Sequence, residues 1–262
     1  MIDAALIDQP AVTGETRRRS ELLWMPINLL QAVSLALVCL LMIPPALLVL
    51  KITGRPDYAL WMARSLWAPI ILAGGFSRLR VKGLENIDPS RRTLVVCNHR
   101  SYADIPVLYR VFPLPLRFIG KRELAGIPLI GRFGRAVGTV FVDRSTRRRA
   151  ADGIAELTEG LVRGEWTVSF PEGTRSHDGT MGSFSSGTFA SAIAAEADIL
   201  PVAIEGTDRM LARGGFRVRP SLVTVIIGQP IPTRGMSVAG RHDLVARANK
   251  ELGHLLGEHA DA

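Results

Sequence analysis

Thr93-Leu94-Val95-Val96-Cys97-Asn98-His99-Arg100-Ser101-Tyr102-Ala103-Asp104 decides how this chain is read. The first five residues form a short apolar run bounded by polar ones, the pattern of a buried strand. That strand would deliver Asn98 and His99 to its C-terminal end, where open α/β sheets carry their chemistry. A carboxylate follows five residues after the imidazole. On a straight helix that spacing would set the two side chains about 140° apart. His99 is therefore expected on a turn, with Asp104 reaching back from the first turn of the next helix. Pro106 fits there, because proline is tolerated early in a helix. Asp104 would then fix the tautomer and orientation of a general base. Taken alone, the pair also fits an ordinary capping or core contact.

A second strand-like run, Trp166-Thr167-Val168-Ser169-Phe170, leads into Pro171-Glu172-Gly173-Thr174-Arg175-Ser176. Gly173 suits an awkward backbone turn, and Arg175 is a planar cation suited to phosphate. Glu172 either accepts main-chain N–H groups to hold its loop or positions Arg175. Two strand ends are thus loaded with residues capable of chemistry.

Together these segments resemble the glycerolipid acyltransferase family, its bacterial 1-acylglycerol-3-phosphate branch in particular. Asn98, His99 and Asp104 match an Asn-His-x4-Asp motif, and Gly138-Thr139-Val140-Phe141-Val142-Asp143-Arg144 matches Gly-x-x-Phe-x-x-Arg. Phe170 to Ser176 matches Phe-Pro-Glu-Gly-Thr-Arg-Ser, and Leu200-Pro201-Val202-Ala203-Ile204 supplies an apolar fourth motif. Lys121-Arg122-Glu123-Leu124, followed by Pro128 and Gly131, fits a Lys-x-Glu-Leu segment. The motifs stand in the family's order. One departure is Phe184-Ser185-Ser186-Gly187, where many relatives have Phe-Lys-x-Gly. The missing lysine bears on the acceptor more than on the chemistry.

The resemblance implies an O-acyltransferase that esterifies 1-acylglycerol 3-phosphate to phosphatidic acid, drawing on acyl-CoA or acyl carrier protein. His99 would be the general base and Asp104 its partner. Lys121, Arg144 and Arg175 would surround the acceptor phosphate, with Glu172, Gly173 and Thr174 completing the substrate-binding set. Outside the motif context, each cation also fits a surface salt bridge. No cofactor and no metal are implied. Acylation of another lysolipid, such as a lyso-ornithine lipid, is the rival within the same chemistry. A non-catalytic lipid-binding membrane protein is the rival from another class, although such a protein needs neither His99 nor Asp104.

Composition points the same way. The chain is 47% hydrophobic with a formal net charge of +8, which suits either nucleic acid or an anionic membrane surface. No zinc spacing, helix-turn-helix or RNA-binding pattern supports the nucleic-acid option. Cys39 and Cys97 both lie in apolar runs and provide no disulfide framework, as expected of a reducing compartment. Cys97 belongs to the strand pattern as a core thiol, and Ser101 reads as a cap or first-turn residue.

Residues 22–50 contain no charge and follow Arg17-Arg18-Arg19, a run long enough to span a bilayer. Pro44-Pro45 predicts a kink or break in its last third. A second apolar segment, residues 58–76, holds Trp61, Trp67 and Arg64. Either both segments cross as a hairpin or the pair lies in the cytoplasmic leaflet, and Arg64 favours the leaflet. Buried core helices are the third option. The expected layout is a polar segment over 1–20, an apolar two-helix membrane anchor over 21–76 and an α/β domain over 77–262. The family resemblance implies that this α/β domain holds a mixed central sheet flanked by helices, on the cytoplasmic face of the cytoplasmic membrane.

Strands are expected at 79–82, 93–97, 116–119, 139–142, 166–170, 199–204 and 222–227. Helices are expected at 149–162, 186–197 and 241–256, the first from the spacing of Ile154, Leu157 and Leu161.

Overall fold

The computed structural model describes residues 14–75, 77–143, 145–175, 181–212 and 218–257. Helix α1 runs from Gly14 to Thr53. Among the described residues it is the one helix long and apolar enough to cross a membrane, over Met25–Thr53. Leu29, Leu30, Leu41, Leu48 and Ile52 are exposed along it, whereas Ala46 is buried against the rest of the molecule. The break expected at Pro44-Pro45 does not occur. Two adjacent prolines leave only the carbonyls of Leu40 and Leu41 without their usual partners. Packing at Ala46 holds the same turn. The helix stops instead at Gly54, which has φ +65° and donates its N–H to the Leu50 carbonyl at 2.8 Å. Glycine takes that left-handed conformation without a Cβ penalty.

The second apolar segment departs from a simple anchor helix. It consists of α2 (Pro56–Met62), a π-helical turn over Ala63–Trp67, and α3 (Ala68–Gly74). Ala59, Leu60, Ala63, Ala68 and Leu72 are buried in one cluster with Leu108 and Phe112 of the α/β body. Arg64 donates from Nε to the Phe112 carbonyl at 2.8 Å, and Trp67 meets Tyr109 edge-on. Tyr58, Trp61 and Ile70 stay exposed. One stripe of the segment is therefore core, which periodicity could not separate from a lipid-facing stripe because both are apolar.

A seven-stranded sheet follows. Its strands are β1 (Arg78–Lys82), β2 (Thr93–Cys97), β3 (Arg117–Lys121), β4 (Val140–Val142), β5 (Thr167–Ser169), β6 (Asp198–Glu205) and β7 (Leu222–Ile227). The order across the sheet is β1-β7-β6-β2-β5-β3-β4. Neighbours pair in parallel except β6 with β7, so the sheet is mixed, as expected. Each expected strand lies within two residues of an observed one.

Strand β2 is central and wholly buried. Because side chains alternate across a strand, Val95 and Cys97 enter one core and Leu94 and Val96 the other. The first core lies under α2, α3 and α4 (Asp104–Val111). The second lies under α6 (Arg147–Val162), α7 (Gly187–Ala194) and α9 (Arg241–Gly257). Short helices α5 (Ile130–Ala136) and α8 (Thr207–Met210) complete the chain. Burying each Val or Leu of β2 contributes about 1.5–3 kcal/mol, so both layers lock onto the strand that ends at His99.

Candidate active site

The parallel part of the sheet sets β2, β5, β3 and β4 side by side, with their C-terminal ends at one edge. His99, the 170–175 loop, Lys121 and the residues after Val142 all leave from that edge. Asn98 fixes the first of these exits. Its buried side chain donates from Nδ2 to the Ile204 carbonyl at 2.9 Å and accepts the Ile204 N–H on Oδ1 at 2.7 Å. The amide thus extends the β2–β6 pairing by one residue and joins the first motif to the fourth.

His99 Nδ1 lies 2.8 Å from Asp104 Oδ2. The same oxygen accepts the N–H groups of Arg100 at 2.9 Å and Ser101 at 3.0 Å. An oxygen receiving two main-chain donors is an acceptor toward the ring as well, so Nδ1 carries the proton. Nε2 is then the nitrogen available to take one. Asp104 is fully buried at the start of α4, and its Oδ1 has no hydrogen-bond partner among the described residues. The turn itself is tied down by Ser101, whose Oγ donates to the Leu211 carbonyl at 2.7 Å and accepts the Ala103 N–H.

The imidazole also stacks on Phe170, with centroids 4.1 Å apart and planes 21° from parallel. Phe170 in turn lies against Phe118. Glu172 accepts the His99 N–H on Oε1 at 3.0 Å and the Gly182 N–H on Oε2 at 3.0 Å. These are main-chain contacts of the kind expected for one of its two roles. Gly173, at φ +71°, closes the turn with an N–H donated to the Phe170 carbonyl at 3.0 Å. Thr174 is exposed. The Arg175 guanidinium lies over the Tyr102 ring, 3.9 Å from its centroid.

Lys121 is exposed at the end of β3, two strands from β2. It pairs in register with Val142. Arg144 lies outside the described residues. Its neighbour Asp143 accepts from Ser145 N–H at 2.9 Å and Arg149 at 3.1 Å, and faces Arg122 at 3.5 Å. The Ser145 hydrogen bonds, with help from the two guanidiniums, hold the Asp143 carboxyl below its usual range. This pins the corner that carries the second motif.

Cys97 is buried, and burial pushes its thiol well up, reinforced by the charges of Asp104 and Glu172. It is a core thiol, as expected.

Sequence reasoning quoted Asn98, Phe170 and Tyr102 without giving them a role. Asn98 carried a readable signal, being a polar side chain directly after a buried strand. Phe170 and Tyr102 did not, because their partners are 71 and 73 residues away in sequence.

Residues 78–205 match the family model described as Acyltransferase. A 1-acyl-sn-glycerol-3-phosphate acyltransferase of Chlamydomonas reinhardtii is 33% identical over 172 residues, covering 64% of this chain and 51% of its own. One from Pseudomonas aeruginosa is 31% identical over 199 residues, covering 76% of each. The chain spans about half the length of the algal relative and of a chloroplast relative from Arabidopsis thaliana. The crystal structure of a 1-acyl-sn-glycerophosphate (LPA) acyltransferase from Thermotoga maritima superposes with a TM-score of 0.70 at 29% identity. That match covers 86% of this chain and 96% of the other.

Proposed function

The chain belongs to the acyltransferase family, and on that premise we propose that it esterifies the free hydroxyl of 1-acylglycerol 3-phosphate to give phosphatidic acid. The observation that carries this reading is the 2.8 Å contact between His99 and a fully buried Asp104 at the end of the central strand. His99 Nε2 takes the proton of the acceptor hydroxyl as its oxygen attacks the acyl thioester carbonyl. The new C–O bond forms, the C–S bond breaks, and the thiol leaves with the proton that the imidazolium returns. Asp104 keeps the ring in the productive tautomer and stabilises its charged form without being protonated. Acyl-CoA or acyl carrier protein supplies the thioester.

Lys121, Arg144 and Arg175 hold the acceptor phosphate, a group of about −1.5 to −2 charge near neutral pH. Glu172, Gly173 and Thr174 form the loop that presents Arg175. The Ser185 hydroxyl, standing where many relatives have lysine, favours one second reading: acylation of a different lysolipid such as a lyso-ornithine lipid.

The proposed catalytic and binding residues all lie within 77–262, and residues 21–76 hold them to the cytoplasmic face of the cytoplasmic membrane while lending Ala59, Leu60, Ala68 and Leu72 to the shared core. The exposed leucines of α1 and the exposed Tyr58, Trp61 and Ile70 support that placement. So does Gln31, which exchanges two hydrogen bonds with the main chain of Val218, at 3.1 and 3.3 Å. From Gln31 to Thr53 the helix covers roughly 33 Å. Tied to the domain at both ends of that length, α1 is suited to lying in one leaflet rather than standing free across the bilayer.

The test is thiol release from a single acyl donor by the purified protein, with a panel of lysolipid acceptors. Release with 1-acylglycerol 3-phosphate well above that with lysophosphatidylcholine or lyso-ornithine lipid is expected. Preference for the ornithine lipid would establish the second reading, and no release with any acceptor would remove the enzymatic one.

A further inference from the structure

We propose that Tyr102 is a positioning residue for the acceptor phosphate, its ring serving as the platform that sets the Arg175 guanidinium at a fixed offset from His99. The inference rests on the reading of His99 as base and Arg175 as phosphate ligand. Tyr102 stands inside the turn that joins His99 to Asp104 and is 55% exposed, so its ring contributes little to the core. The turn beneath it is rigid: Asp104 holds the N–H groups of Arg100 and Ser101, and Ser101 is bonded to Leu211. Arg175 arrives from the loop after β5 and lies over the ring at 3.9 Å.

Stacking engages the face of a guanidinium and leaves the in-plane N–H donors to hydrogen-bond partners, of which one phosphate can take two at once. The substrate supplies the reason for such a platform. In 1-acylglycerol 3-phosphate the attacked hydroxyl and the phosphate ester oxygen sit on adjacent carbons. The base and the phosphate ligand must therefore be a few ångströms apart and stay so. Mounting the arginine on the turn that carries the base meets that demand, although the two residues are 76 positions apart.

The experiment measures kcat and KM for 1-acylglycerol 3-phosphate in the full chain and in Tyr102→Phe, Tyr102→Leu, Arg175→Ala and the Tyr102→Leu/Arg175→Ala double variant. Tyr102→Phe, which keeps a ring, is expected within about twofold of the parent. Tyr102→Leu is expected to raise KM roughly two- to fivefold with kcat little changed, the size of an exposed cation–π contact. The double variant should match Arg175→Ala, because the ring acts only through the arginine. An unchanged KM in Tyr102→Leu would overturn the proposal, as would a loss confined to kcat or a double variant worse than Arg175→Ala by the same factor. If Arg175→Ala raises KM and Tyr102→Leu does not, only the role of Tyr102 falls. If Arg175→Ala itself leaves KM unchanged, the phosphate reading fails and this inference with it.

Discussion

The Glu172 carboxylate holds the main-chain N–H of His99 at 3.0 Å, across 73 residues of sequence. Its other oxygen holds Gly182. One side chain therefore fixes the backbone of the proposed base and the loop that follows the arginine. Replacing Glu172 with Ala leaves two N–H groups without acceptors, a cost of about 1–3 kcal/mol for each that stays buried. We expect Glu172→Ala to lower both the melting temperature and kcat, and Glu172→Gln, which keeps one acceptor oxygen, to lose less of each. Thermal melts alongside steady-state kinetics provide the check. Full activity in Glu172→Ala would show that the His99 backbone needs no such support.

His99→Ala should lower turnover by about 10²–10⁴-fold while the protein stays folded, because the side chain sits on a turn and is partly exposed. Asp104→Ala should also cost stability, since Arg100 and Ser101 lose the acceptor for their N–H groups. Comparing melting temperatures separates the two variants. Equal melting temperatures would mean that Asp104 acts on the ring alone.

Truncation should behave differently at two cut sites. Removal of residues 1–53 takes away α1, the Gln31–Val218 hydrogen bonds and half of the exposed large apolar side chains among the described residues, but leaves α2 and α3 in the core. That protein is expected to fold and to lose most of its membrane association, read by vesicle co-sedimentation at high salt. Removal of residues 1–76 also strips Ala59, Leu60, Ala68 and Leu72 from their cluster. It is expected to be insoluble or strongly destabilised, since large core deletions cost several kcal/mol. A well-folded 77–262 fragment would show that the second segment is dispensable to the core.

The Cys97 thiol gives a pH signature. Burial raises its folded-state value above the ordinary thiol range of about 8.5. The contribution to stability is therefore complete below that range and is lost as pH rises above it, because the unfolded chain then releases a proton that the folded one keeps. We expect the stability gap between the parent and Cys97→Ala to shrink between pH 8 and pH 10, by at most about 1.4 kcal/mol per pH unit. A gap independent of pH would refute the assignment. Denaturant midpoints at a series of pH values measure it.

Local pattern made much of this protein legible. Thr93–Cys97 and Leu222–Ile227 are strands over the expected residues, because a short apolar run between polar boundaries has few other ways to bury itself. The turn that carries His99, with Asp104 returning from the next helix, followed from a five-residue spacing that a straight helix cannot use. The main-chain contacts of Glu172, to His99 and Gly182, join segments too far apart in sequence for local pattern to pair.

What the sequence determined by itself was therefore the seven strands, the longer helices around them and the pairing of His99 with Asp104, all consequences of spacing within about a dozen residues, whereas the mixed sheet was implied by the family resemblance. Only the tertiary structure decided that the segment after Pro56 shares the core, that α1 passes unbroken through Pro44 and Pro45, and that Tyr102 lies under Arg175. The physical reason is common to the three. An apolar stripe is the same whether it meets lipid or protein, a proline's cost depends on what packs against its turn, and a ring reveals its partner only when distant strands bring their ends together.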